Sequence, residues 1–93
     1  MNKILVHFDA PNMKADTYDK IWDDLRSAGY SQPKGLVHHY GAPNGEGWWV
    51  TDVWESAESF QEFGKTLMPI LEKHGYAHLQ PRIMPLHYEV AGA

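Results

Sequence analysis

Two histidines stand side by side at His38-His39, and one aspartate, Asp52, lies a short distance on in a run thick with tryptophan. Neighbouring residues of a strand project to opposite faces, so His38 and His39 cannot serve one metal ion or one substrate atom. Between them and Asp52 lies Pro43-Asn44-Gly45-Glu46-Gly47, the turn chemistry of a β-hairpin, with Asn44-Gly45 its expected tip. With that two-residue turn Pro43 opposes Glu46. The ladder then puts Val37, His39 and Gly41 on the face of Trp48, Val50, Asp52 and Trp54, with His39 and Asp52 as diagonal neighbours. Such a pair in aromatic surroundings can orient an imidazole as a general base, or as a donor to a developing phenolate or enolate. It can equally be a buried, hydrogen-bonded pair that only fixes the hairpin. His39 and Asp52 are the candidate catalytic residues.

The aromatic residues offer a pocket. Tyr18, Trp22, Trp48, Trp49, Trp54, Phe60 and Phe63 could stack on a planar ligand while a few polar groups orient it, and the same spacing is that of an ordinary core. The candidates for ligand contact are Trp54, Phe60, Phe63, Tyr18 and Trp22. His74 and His78 have the four-residue spacing of two helical metal ligands, but Gly75 between them reads as a helix stop. With no Cys, no His-Glu-x-x-His and no converging acidic triplet, no metal site is expected. His7 and His87 lie on the first and last strands, expected neighbours, and can form a cross-strand pair. No Gly-x-Ser-x-Gly elbow, phosphate loop or dinucleotide fingerprint occurs.

The elements that must position these residues read in the order β-α-β-β-α-β. Lys3 to Phe8 is a short strand pattern broken by Asp9-Ala10-Pro11-Asn12. From Asp16, a candidate cap, Tyr18, Ile21, Trp22, Leu25 and Ala28 follow helical spacing up to the stop at Gly29. Gly35 to Gly41 and Gly47 to Glu55 are the hairpin strands. Ser56 caps a second helix carrying Phe60, Phe63, Leu67, Ile70, Leu71 and His74, closed by Lys73 and Gly75, and Pro69 predicts a kink or a split within it. A loop from Tyr76 to Arg82 leads to a last strand, Ile83 to Val90, where Pro85 argues for an edge position. The tail Ala91-Gly92-Ala93 is expected to fray. The parse is one α+β domain, residues 1–93, of the split β-α-β arrangement called ferredoxin-like, with both helices on one face of an antiparallel sheet. Large apolar groups fall on both faces of the strands, so the open face wants a cover, and two subunits packed sheet against sheet supply one.

Length and charge narrow the partners. A chain of 93 residues has no room for a separate catalytic module. Twelve acidic against eight basic residues, a net charge of −4, is the wrong sign for nucleic acid or an anionic membrane surface. No apolar run approaches the roughly 20 residues of a membrane span, and Met1 to Asp9 leads straight into a strand pattern rather than a signal sequence, so a cytoplasmic protein is expected. The absence of Cys removes disulfides, thiol nucleophiles and thiolate metal sites.

At Val50-Thr51-Asp52-Val53-Trp54-Glu55-Ser56, followed by Phe60, Phe63, Leu67, Pro69, Leu71 and Gly75, the chain resembles the dimeric α+β barrel proteins, specifically small members similar to the antibiotic-biosynthesis monooxygenases. Tyr18-Asp19, Gly35-Leu36-Val37-His38-His39 and Pro85-Leu86-His87 extend the resemblance over nearly the whole chain. It implies a ferredoxin-like α+β fold and a homodimer, in a superfamily that includes cofactor-free quinone-forming monooxygenases, haem-degrading enzymes and isomerases. The haem-degrading branch presents an Asn on strand one and a Trp and a His on the second helix. Here the strand-one end reads His7-Phe8-Asp9, Phe63 stands where that Trp would be, and His74 falls about one position from the expected His, which argues against haem degradation. The expected function is a cofactor-independent monooxygenase or related isomerase acting on a small aromatic or polyketide-like substrate, with no cofactor. The alternative is a non-catalytic dimeric module, of binding or stress-response type, that holds a small hydrophobic molecule.

Overall fold

The computed structural model describes residues 2–93, and Met1, the first residue of the Met1–Asp9 reading, lies outside them. Its elements are β1 (Ile4–Ala10), α1 (Ala15–Ser27), β2 (Leu36–Asn44), β3 (Gly47–Trp54), α2 (Ala57–Lys73) and β4 (Arg82–Pro85). The strands form one antiparallel sheet in the order β2-β3-β1-β4. This is the expected ferredoxin-like βαββαβ fold.

Alternation sets the layers. Ile4, Val6, Phe8 and Ala10 of β1 are buried against the helices, and the register Val6↔Asp52 and Ile4↔Trp54 brings Asp52 and Trp54 to the same face. α1 lays Ile21 and Leu25 on this face and α2 lays Phe60, Phe63, Leu67 and Leu71, one apolar stripe each at helical spacing. Val6, Leu25 and Trp54 are the most completely enclosed side chains, none more than 1% exposed. Both helices stop at a left-handed glycine: Gly29 (φ 92°) and Gly75 (φ 87°) turn the chain so that Tyr30 N–H reaches Leu25 C=O and Tyr76 N–H reaches Leu71 C=O, each at 2.8 Å.

Several boundaries differ from the sequence reading. β1 runs on to Ala10, which pairs with Trp48. α1 begins at Ala15 with Lys14 in the N-cap position, so Asp16 does not cap; its carboxylate accepts the Thr17 N–H from within the first turn. Ser56 does cap α2, accepting the Ser59 N–H at 3.1 Å. α2 continues through Pro69 without the expected split. Pro69 and the residue one turn before it, Lys65, both face solvent, so water can satisfy the carbonyl that loses its partner. β4 is an edge strand, as Pro85 requires, but ends at Pro85 instead of reaching Val90. Beyond it the backbone bonds back through Leu86 N–H, to Lys3 C=O, and the Glu89 carboxylate accepts from Lys3 Nζ at 2.8 Å. His87 therefore lies outside the sheet and is no partner of His7, which instead meets Thr51 Oγ1 at 2.9 Å.

The ends of the helices are tied by polar groups. Asp24 of α1 accepts from His74 Nε2 at 2.8 Å and from Lys73 Nζ at 3.1 Å at the end of α2, so His74 is engaged with a carboxylate and not with His78. These bonds, His74 first and Lys73 second, hold the Asp24 carboxyl below its usual range. A carboxylate with a depressed folded pKa contributes stability above its unfolded value and loses it as pH falls through the folded one. Asp24→Asn is therefore expected to flatten the decline of melting temperature on acidification below about pH 4, the ordinary carboxylate range, in thermal unfolding followed by circular dichroism. Pro69→Ala restores the missing helical bond and is expected to raise the unfolding free energy by about 1–3 kcal/mol, measured by urea denaturation.

Candidate functional site

The hairpin of β2 and β3 turns at Gly45-Glu46, with Asn44 still paired to Gly47, one residue later than the expected Asn44-Gly45 tip. Asn44 keeps an ordinary negative φ and Gly45 takes the positive one, the preference of a turn with glycine in its first central position. Moving a two-residue tip by one shifts every cross-strand partner by two, so the faces survive and the partners change. His39 stands directly opposite Asp52, not diagonal to it. His38 points to the other face, where it is half-exposed and 3.6 Å from Glu89. A bulge between Leu36 and His38 then puts Leu36 opposite Trp54, and Leu36, not Val37, joins the inner face.

Five side chains from three elements form one hydrogen-bonded chain. Trp54 Nε1–H donates to Asp52 Oδ2 at 3.1 Å, and Asp52 Oδ1 lies 2.6 Å from His39 Nδ1. His39 Nε2 in turn lies 2.6 Å from the Tyr18 hydroxyl and 3.3 Å from Trp22 Nε1. An indole N–H can only donate, and so can a ring nitrogen facing a carboxylate. These two constraints assign the proton: Nδ1–H donates to Asp52, and Nε2 is the acceptor on which Tyr18 O–H and Trp22 N–H converge. Tyr18 and Trp22 are four apart on α1, so one helix face delivers both to one nitrogen. The Tyr18 ring lies parallel to the His39 ring, and the Trp22 ring meets it edge-on.

Asp52 is the one buried ionisable side chain among the described residues, 5% exposed. Burial pushes the Tyr18 phenol above its ordinary pKa; the Trp22 indole opposes that, and the Asp52 charge adds to it. Tyr18 is therefore held as a neutral hydroxyl.

This chain closes one side of a cavity of about 60 Å³ between the sheet and the helices. Its other walls are apolar, among them Phe8, Met13, Ile21, Leu25 and Leu71, and no cationic side chain lines it. Of the residues expected to contact a ligand, Tyr18, Trp22, Trp54 and Phe63 line the cavity. Phe60 does not; it packs behind Trp54 and Phe8, with ring centroids 5.6 and 6.4 Å away. The sequence reading treated Tyr18 and Trp22 as stacking surfaces and missed that each brings a polar atom to His39. It also missed Gly41. A Cβ there would collide with the Tyr18 hydroxyl, so the bare backbone of β2 makes room for the phenol.

The fold and the site together define a ferredoxin-like α+β protein with one apolar cavity bearing a single polar wall. No protein-family model matches the chain, and no curated protein matches it. Solved structures do. The chain is similar to a candidate antibiotic biosynthesis monooxygenase from Chloroflexus aurantiacus at 17% identity and a TM-score of 0.62, over 97% of this chain and 99% of that one. A dimeric ferredoxin-like protein from an uncultured marine organism matches at 13% identity and 0.68, over 100% and 95%. SnoaB, a cofactor-independent oxygenase from Streptomyces nogalater, matches at 10% identity and 0.61, over 98% and 97%. The shared property is the fold.

The buried bonds predict an asymmetry between the adjacent histidines. His39→Gln leaves Asp52 and the Trp22 N–H short of a partner, and is expected to destabilise by about 1–3 kcal/mol. His38→Gln, on the half-exposed face, should stay within about 0.5 kcal/mol of the parent; paired urea titrations check both.

Proposed function

We propose that the protein is a cofactor-independent monooxygenase or related isomerase acting on a small phenolic or enolisable molecule, with His39 as the base and Asp52 as the group that orients it. The observation that carries this reading is the Asp52–His39 pair at 2.6 Å, set at the polar wall of an otherwise apolar cavity. A buried carboxylate on Nδ1 fixes the tautomer that leaves Nε2 basic, and it stabilises the imidazolium that forms when a proton arrives. Deprotonation leaves the substrate electron-rich. In the oxygenase version a C–H carbon conjugated with the anion supplies the electrons: molecular oxygen puts one atom into the new carbonyl at that carbon, and the other leaves as water with the hydrogens of the broken O–H and C–H bonds. In the isomerase version the proton returns at another carbon. The fold shared with a cofactor-independent oxygenase supports the first version.

Cavity size bears on the substrate. About 60 Å³ is well below the roughly 150 Å³ that an apolar cavity offers to benzene. A ring can enter only if α1 or α2 moves away from the sheet, and each further ring demands more. No cationic residue stands ready for an anionic substituent, so the ligand is uncharged apart from the hydroxyl it presents to the polar wall.

The same reading includes a homodimer. Tyr40, Trp49 and Met84 are exposed on the sheet face away from the helices, an apolar surface of the kind that a second subunit covers, and one of the matched structures is described as dimeric.

Oxygen uptake and product formation across one-ring hydroxyquinols and larger anthrones, beside binding measured by tryptophan quenching, test the reading. Turnover is expected first with the one-ring members, and His39→Gln should lower its rate by about 10²–10⁴-fold per folded molecule. Binding with no turnover of any member would favour the non-catalytic module instead. Sedimentation at micromolar concentration is expected to show a dimer, and a stable 10.6 kDa monomer would remove that part.

A further inference from the structure

We infer that the substrate proton reaches His39 through the hydroxyl of Tyr18, so that Tyr18 is the residue that touches the substrate and His39 acts one bond behind it. This rests on the reading of His39 as the base and adds the route by which it is reached. Every lone pair and N–H of the His39 ring is already committed: Nδ1–H to Asp52, Nε2 to the Tyr18 hydroxyl and the Trp22 indole. No position on the imidazole is left for a substrate oxygen. The Tyr18 oxygen donates its one proton to Nε2 and keeps lone pairs that can accept a hydrogen bond, and Tyr18 lines the cavity.

The transfer balances without any further reactant. The substrate O–H bond breaks and its proton forms the new O–H bond of Tyr18. The proton Tyr18 already carried moves to Nε2, forming an N–H bond. The electron pair of the broken bond stays on the substrate oxygen, Tyr18 remains a neutral phenol throughout, and the positive charge created on His39 faces Asp52. Because burial disfavours the Tyr18 anion, the two proton shifts are coupled and no free phenolate forms. Gly41 belongs to the device: any larger residue would push the phenol off its position 2.6 Å from Nε2.

A phenol whose anion is coloured reads this transfer without turnover. With 4-nitrophenol as the probe, tryptophan quenching reports binding and visible absorbance reports the ratio of anion to phenol in the bound state. The wild-type protein is expected to raise that ratio about tenfold over free solution at the same pH, one unit of apparent acidity. Tyr18→Phe should bind with affinity of the same order and show the solution ratio, as should His39→Gln. Gly41→Ala, which keeps the hydroxyl but displaces it, should lose most of the rise, and it decides the question if Tyr18→Phe does not fold. A raised ratio that persists in Tyr18→Phe, or in Gly41→Ala, would overturn the Tyr18 route while leaving His39 as a base that takes the proton directly. No binding by the wild type, or binding with no raised ratio, would overturn the route together with the assignment of His39 as base.

Discussion

A carboxylate 5% exposed inside an apolar layer is tolerable only when its charge is hydrogen-bonded, and Asp52 meets that condition with two side chains, Trp54 at 3.1 Å and His39 at 2.6 Å. Each bond constrains more than the carboxylate. The Trp54 indole, fully enclosed, is locked in the position from which its ring meets Phe60 and Phe63 of α2. The His39 ring is fixed in one tautomer and therefore presents an acceptor, not a donor, toward α1. α1 answers with two donors one turn apart, Tyr18 and Trp22. One buried charge thus ties β2, β3, α1 and α2 around the same cavity. Removing a single member leaves the others unsatisfied in a place where water does not readily replace the lost partner.

Much of this was legible in the sequence, for a reason rooted in strand geometry. Side chains alternate with a period of two, so a hairpin signal between His38-His39 and Asp52 was enough to separate the two histidines and to put His39 with Asp52. The tip was misplaced by one residue, and parity absorbed the error, since partners moved by two. Helix stops at Gly29 and Gly75 and the cap at Ser56 read correctly because each is a local device that depends on one residue's own chemistry.

What was not legible depends on contacts between elements. The spacing of Tyr18 and Trp22 places them on one helix face but does not say that the face lies over Nε2; that follows from how α1 crosses the hairpin. Gly41 inside a strand was a signal of close backbone approach, but only the position of the Tyr18 hydroxyl shows what approaches. The bulge that exchanges Leu36 for Val37 leaves no mark in the apolar pattern, as both residues are aliphatic. Pro69 misled in the other direction. A local rule predicted a kink or a split, and the split does not occur, because the exposed face of a well-packed helix tolerates the lost bond where water can take it.

The geometry also sets two opposed demands on any ligand. The bond between Tyr18 and His39 lasts only while α1 keeps its place over the hairpin. The cavity is too small for a ring unless a helix moves, and α1 is held to the end of α2 by the Asp24 bonds to His74 and Lys73 and to the hairpin by the Tyr18 and Trp22 bonds to His39. A ring can be admitted without breaking the Tyr18 contact if the movement falls on the α2 side, where the lining residues Phe63, Leu67 and Leu71 contribute no polar atom to the chain of bonds. Separation on that side costs apolar contact, a graded loss, whereas lifting α1 would strip His39 of both donors at once. The hydrogen-bonded wall is therefore the costlier one to move, and the apolar α2 wall the cheaper.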